Sequence, residues 1–165
     1  MAKWKRNTHK DAFISALATD SIRSCDISSR LKFNFSYFDG SQAAGINIAD
    51  FDGDLAKNLL DKMRAFSRSP ISYWTQARAG AGGLKVLEIY GAFPKRSDFT
   101  HPKHVPHDVL WARFRLDNMT RLVGFVIPTE YSNTLCERLG YNYDCNTFYV
   151  VFIDLEHRFY CMENR

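Results

Sequence analysis

The sequence predicts an α+β protein in which an antiparallel β-sheet packs against N-terminal helices, and three observations carry that expectation. Leu31-Lys32-Phe33-Asn34-Phe35-Ser36-Tyr37 alternates apolar and polar side chains, the period of a half-buried strand. Leu55, Leu59, Leu60, Met63 and Phe66 recur at helical spacing. Three β-rich runs then follow in the second half: Leu110 to Leu116, Arg121 to Ile127 and Phe148 to Asp154. Only Asp117-Asn118-Met119-Thr120 separates the first two, a hairpin-sized connection that implies an antiparallel meander.

A chain of 165 residues, 45% hydrophobic and 24% charged, has enough apolar material for one core. We read 1–165 as a single domain, with an N-terminal helical extension over 1–28 and an α+β core over 29–165. No apolar run approaches the ~20 residues that span a bilayer. The basic start Met1-Ala2-Lys3-Trp4-Lys5-Arg6 is not followed by the apolar stretch of a signal peptide. The expectation is a cytoplasmic protein with no membrane partner. Cys25, Cys136, Cys145 and Cys161 form no CxxC pair and read as buried or free thiols. A net charge of +4 permits an anionic partner without requiring one.

In chain order, Phe13, Ile14 and Leu17 mark a short helix from Asp11 to about Ser24. The strand Leu31 to Tyr37 ends at Asp39-Gly40. Asp50 or Asp52 caps the main helix, which runs to about Arg68 with Pro70 beyond it. A further turn or two covers Ser72 to Arg78, and Ala79-Gly80-Ala81-Gly82-Gly83 is a loop inside the fold. Leu84 to Tyr90 is the next strand. Ser97 to Asp108, with two prolines and three histidines, excludes a regular element. Pro128 to Thr147 is a long insertion with room for a short helix near Leu135, a kind of segment that is often functional.

Chemistry concentrates in three places. Along Trp111 to Leu116, Ala112, Phe114 and Leu116 share one face while Trp111, Arg113 and Arg115 share the other. With the apolar face on the long helix, the second displays two guanidiniums and an indole, a surface suited to RNA phosphates and bases. The competing reading pairs Arg113 and Arg115 with carboxylates of the next strand. Arg121 extends the basic set. After the last strand, His157, Arg158 and Tyr160 offer a proton-transfer group, a phosphate clamp and a second polar handle, the set that cleaves RNA through its 2'-hydroxyl without a metal; a merely structural His157 is the alternative. In His101-Pro102-Lys103-His104-Val105-Pro106-His107-Asp108, three imidazoles at spacing three raise a zinc site. The prolines prevent the helix that would align them, so an extended segment aiming Lys103, His104 or His107 into a cleft, or a purely structural loop, is preferred. No cofactor is expected.

Phosphate-loop, dinucleotide, serine-hydrolase and zincin signatures are absent, which removes the usual support for those chemistries. Asp50-Phe51-Asp52-Gly53-Asp54 lacks the twelfth-position Glu of a calcium loop and suits a helix start.

With Leu31 to Tyr37, Asp52 to Arg78, Trp111 to Leu116, Arg121 to Ile127 and Phe148 to Tyr160 in that order, the chain resembles bacterial toxin ribonucleases of the RelE/YoeB/HigB kind. It departs from them in length, in the strand Leu84 to Tyr90, in the His-rich loop and in the Pro128 to Thr147 insertion. The resemblance implies a RelE-like fold and an endoribonuclease. Arg113, Arg115 and Arg121 would stabilise phosphate charge, and His157 and Tyr160 would transfer protons or stack on bases. It also implies RNA, a ribosome or an antitoxin as partners. The rival class is a non-catalytic component of a phage-defence or mobile-element system that holds nucleic acid or protein on the same face.

Overall fold

The computed structural model describes residues 7–17, 20–80 and 83–161. The basic lead-in over 1–6 and the centre of the Gly/Ala connection, 81–82, lie outside them. The described residues form an α+β architecture of three helices, a five-stranded sheet and two small hairpins.

The predicted meander is the centre of the sheet. Strand β5 (Leu110–Arg115) pairs antiparallel with β6 (Arg121–Val126) from Leu110 opposite Val126 to Arg115 opposite Arg121. The Asp117 carboxylate closes the turn between them by accepting from the backbone N–H groups of Met119 and Thr120 at 2.8 and 2.7 Å, as short polar side chains do in tight turns. Strand β9 (Thr147–Asp154) pairs antiparallel with the other side of β6 and sets Asp154 opposite Arg121. Strand β4 (Leu87–Gly91) borders β5, with Glu88 opposite Arg113.

The sheet is mixed rather than purely antiparallel, because β1 (Lys32–Asn34) runs parallel to β9 at the opposite edge. Only the middle of the alternating run Leu31 to Tyr37 pairs. Beyond Asn34 the chain turns, with the Ser36 N–H held by the Asn34 side chain at 2.9 Å. The expected strand Leu84 to Tyr90 divides at Val86, whose N–H donates to the Ala77 carbonyl. Strand β3 (Leu84–Lys85) therefore pairs with β2 (Arg78–Ala79), and only the remainder joins the main sheet. In the insertion, a short helical turn (Thr129–Tyr131) precedes the β7 (Leu135–Cys136) and β8 (Tyr141–Asn142) hairpin, where a helix near Leu135 was expected.

Helix α2 (Gly53–Phe66) starts where the Asp52 carboxylate accepts from Leu55 N at 2.7 Å. Its Leu59 and Phe66 pack on Ala112, Phe114, Leu122, Phe148 and Val150. Helix α3 (Ile71–Gln76) brings Trp74 under the end of α2, where the indole N–H donates to the Phe66 carbonyl at 2.7 Å, a helix-end acceptor that also takes the Ser69 N–H. Helix α1 (Thr8–Ala16) buries none of its residues, so the helices on the sheet are α2 and α3. It stops short of Ser24 at Ala16, where Leu17 turns extended, and farther on Ser21 and Ser24 bond each other's side chains and backbone, a local alternative to the helical ladder.

The second face of the sheet is divided. Toward one end the loop over 92–109 and Phe159 cover Trp111, Val123, Phe125 and Phe152. Toward the β5–β6 turn the β4–β5 side of this face opens into a cleft that Arg113 and Arg115 line.

Candidate functional site

Where the second face opens, a cleft of about 1010 Å³ lies between the outer side of β4–β5, the β2–β3 hairpin and the chain after β9. Of the residues singled out in the sequence, Arg113, Arg115, His157, Arg158 and Tyr160 line it. Arg78 and Lys85 come from the hairpin, so five basic side chains face two carboxylates, Glu88 and Glu156.

The chain after β9 owes its shape to Asp154, which is fully buried. Its carboxylate accepts from the backbone N–H groups of Glu156, Arg158 and Phe159 at 3.0, 3.0 and 2.9 Å. This folds the chain back so that Phe159 enters the aromatic core while His157, Arg158 and Tyr160 border the cleft. His157 takes φ 59°, the left-handed region that non-glycine residues seldom adopt.

Arg121 does not reach the cleft surface. It is 0% exposed and plugs the β5–β6 turn. Its Nη1 donates to the carbonyls of Asp117 and Thr120 at 2.8 Å each, and its Nη2 to the Asn118 carbonyl at 3.1 Å and to His157 Nε2 at 2.9 Å. Burial, then the neighbouring Arg115 and Arg113, lower its pKa to about 10. A direct grip on phosphate is thereby replaced by a positioning role. A guanidinium only donates, so His157 Nε2 accepts and the neutral ring carries its proton on Nδ1. The Asn118 carbonyl lies 2.8 Å from the same Nε2. A protonated ring would donate there instead.

The remaining arginines differ in how free they are. Arg113 donates to Glu88 at 3.0 Å and lies over the Tyr90 ring at 5.4 Å. The carboxylate thus comes from the preceding strand rather than the next one. Arg158 pairs with Asp98 at 2.9 Å. Such solvent-screened pairs are weak, so a phosphate can compete for either cation. Arg115 has no ion-pair partner among the described residues, and its buried Nε has no hydrogen-bond partner. A half-buried guanidinium without an anion, flanked by Arg113 and Arg121, is the strongest anion-attracting feature of the cleft.

Tyr160, 44% exposed, stacks on Tyr90 with ring centroids 5.1 Å apart and planes 7° from parallel. Burial pushes the Tyr90 phenol well above its ordinary value against the opposing pull of Arg113, and its O–H points to Glu88 at 3.4 Å. The Tyr90–Tyr160 pair gives the cleft an aromatic wall.

Four other sequence candidates lie elsewhere. Trp111 is 1% exposed and packs edge-on to Phe93 and face to face with Phe152, so it presents no stacking surface. The 92–109 loop covers that end of the face, which strand alternation alone does not reveal. Lys103, His104 and His107 are exposed but do not line the cleft. His104 stacks on Tyr37 and contacts its carbonyl at 3.1 Å. Among the described residues no group of three His, Cys, Asp or Glu side chains is placed to hold a metal ion.

Sequence reasoning missed Glu88, Tyr90, Asp154, Arg78 and Lys85. Glu88 shares its strand face with Tyr90, a signal legible once β4 is known to pair with β5. Asp154 ends a strongly apolar strand, where a carboxylate signals a turn. Nothing local marks Arg78 and Lys85.

No protein-family model matches this chain, and comparisons with curated proteins and with solved structures give no match either. No described helix is long and apolar enough to cross a membrane.

Proposed function

We propose that the cleft binds the backbone of single-stranded RNA and cleaves it without a metal, in the manner of a toxin-type endoribonuclease. The observation that carries this reading is the convergence of Arg113, Arg115, His157, Arg158 and Tyr160 on one cleft. Arg115, joined by Arg113 as Glu88 yields, takes the non-bridging oxygens and stabilises the charge of the pentacoordinate phosphorus. The RNA 2'-hydroxyl attacks the adjacent phosphorus as Glu88, released from Arg113, takes its proton, and the 5'-oxygen leaves, giving a 2',3'-cyclic phosphate and a 5'-hydroxyl. His157 in its imidazolium form, with Nε2–H donating to the Asn118 carbonyl, gives its Nδ1 proton to the leaving oxygen and is left as a neutral ring whose Nε2–H stays on that carbonyl. Tyr160, backed by Tyr90, is the platform for a neighbouring base. The RelE-like ancestry, an intracellular site of action, a ribosome and an antitoxin belong to this same proposal.

The test is cleavage of single-stranded RNA in the presence of a chelator. Arg115→Ala should lower the rate about 10²- to 10³-fold and His157→Ala about 10²- to 10⁴-fold, with unchanged circular dichroism. A 2'-deoxy residue at the scissile position should block the reaction. Full activity in both folded variants rejects the assignment.

One observation favours a second reading, in which the cleft binds nucleic acid without cutting it. Arg121 already occupies the lone pair of His157 Nε2, which leaves no free base at that nitrogen. Salt-sensitive RNA binding with no product over long incubation would establish that reading.

A further inference from the structure

A second cavity, of about 420 Å³, opens beyond the covered end of the same sheet face, between the 101–109 loop, the end of β6 and the insertion hairpin. Its walls mix five aromatic residues with prolines and aliphatic side chains. Phe125 and Tyr149 stack 4.8 Å apart and 5° from parallel. Tyr37 stands nearly at right angles to both, at 5.1 and 5.8 Å and 79° and 84°. Tyr131 and Tyr143, 5.1 Å apart, supply the wall from the insertion. The one charged residue of the lining is Asp108, and no Lys, Arg or His joins it. The Asp108 side chain is exposed and makes no ion pair or hydrogen bond among the described residues.

Five aromatic residues and an unpaired carboxylate line one volume, so a cation entering it meets aromatic rings and a full negative charge. The combination repels phosphate and attracts a cation too weakly hydrated to resist leaving water. We infer that this cavity is an aromatic cage for a methylated or quaternary ammonium group, whether of a small free cation or of a methylated lysine side chain. The inference is independent of the RNA reading, which rests on different residues at the other end of the face. It also gives the Pro128 to Thr147 insertion a task, since Tyr131 and Tyr143 come from it.

Titration calorimetry of the whole chain with choline, with the uncharged alcohol in which tert-butyl replaces trimethylammonium, and with a trimethyllysine peptide tests it. Choline should bind at least about fivefold more tightly than its uncharged counterpart. Asp108→Asn, a change at an exposed position that leaves packing alone, should weaken choline several-fold, and Tyr37→Leu should weaken it further. A peptide affinity above that of choline assigns the cage to a modified protein partner; a peptide no better than choline assigns it to a free cation. Equal affinity for the uncharged alcohol, an unchanged affinity in Asp108→Asn, or tighter binding of adenosine than of choline overturns the inference.

Discussion

The Arg121 guanidinium is held without exposed surface because the β5–β6 turn directs three carbonyls at it and Asp154 lies opposite in the register. Such a charge is tolerable only while its partners stay in place. Arg121→Met should therefore lower stability by about 3 kcal/mol in urea unfolding, because it leaves the buried turn carbonyls of Asp117, Asn118 and Thr120 without their donor. The same substitution frees His157 Nε2, so any residual activity should shift in pH dependence. The sequence marks Arg121 as one of three arginines on adjacent strands but not as the buried one. Exposure at that position is decided by a turn whose carbonyls converge only after β5, β6 and the 155–159 chain have assembled. Arg113 and Arg115 were assignable to one face from alternation alone, since that period is local.

Among the elements, β6 shows how a single missing Cβ tunes the sheet. The ladder shifts between Val123, opposite Phe152, and Gly124, opposite Val150, leaving Val151 as an extra residue. The shift puts Val151 and Phe152 in the same aromatic cluster on the second face and restores Asp154 to a position facing Arg121. A Cβ at Gly124 would run into the Tyr149 carbonyl. Gly124→Ala should thus destabilise by about 3 kcal/mol or more, seen as a drop in Tm. Helix α2 and the meander were legible because their periodicities are long and their cap and turn residues conventional. The division of Leu84 to Tyr90 and the parallel β1 were not, since both are fixed by distant partners, Ala77 and the first residues of β9.

For the whole molecule, pH acts first through carboxylates that tie segments together. Burial works to raise Asp117, but the Thr120 and Met119 N–H groups, the Thr120 hydroxyl and Asn58 outweigh it and hold the group below 3.8. Asp144 is likewise held low, against burial, by Lys32, the Asn146 N–H and Thr147. Both bind protons more weakly folded than unfolded, so their stabilisation is complete above about pH 4 and is lost as pH falls through the folded values. Urea midpoints should fall between about pH 5 and about pH 3, and Asp117→Asn should flatten that decline. The carriers of the site were legible as residue types near strand ends. Their meeting was not, because it depends on Asp154 turning the chain and on which end of the face the 92–109 loop covers.

The cleft's hold on RNA is most directly read from the dissociation constant of a single-stranded RNA measured across a salt series for the wild-type protein and Arg115→Ala. The wild type should weaken steeply with salt, and the variant should bind more weakly with a log–log slope shallower by about 0.7, one phosphate contact. An affinity indifferent to salt, or a slope unchanged by the loss of Arg115, contradicts the account.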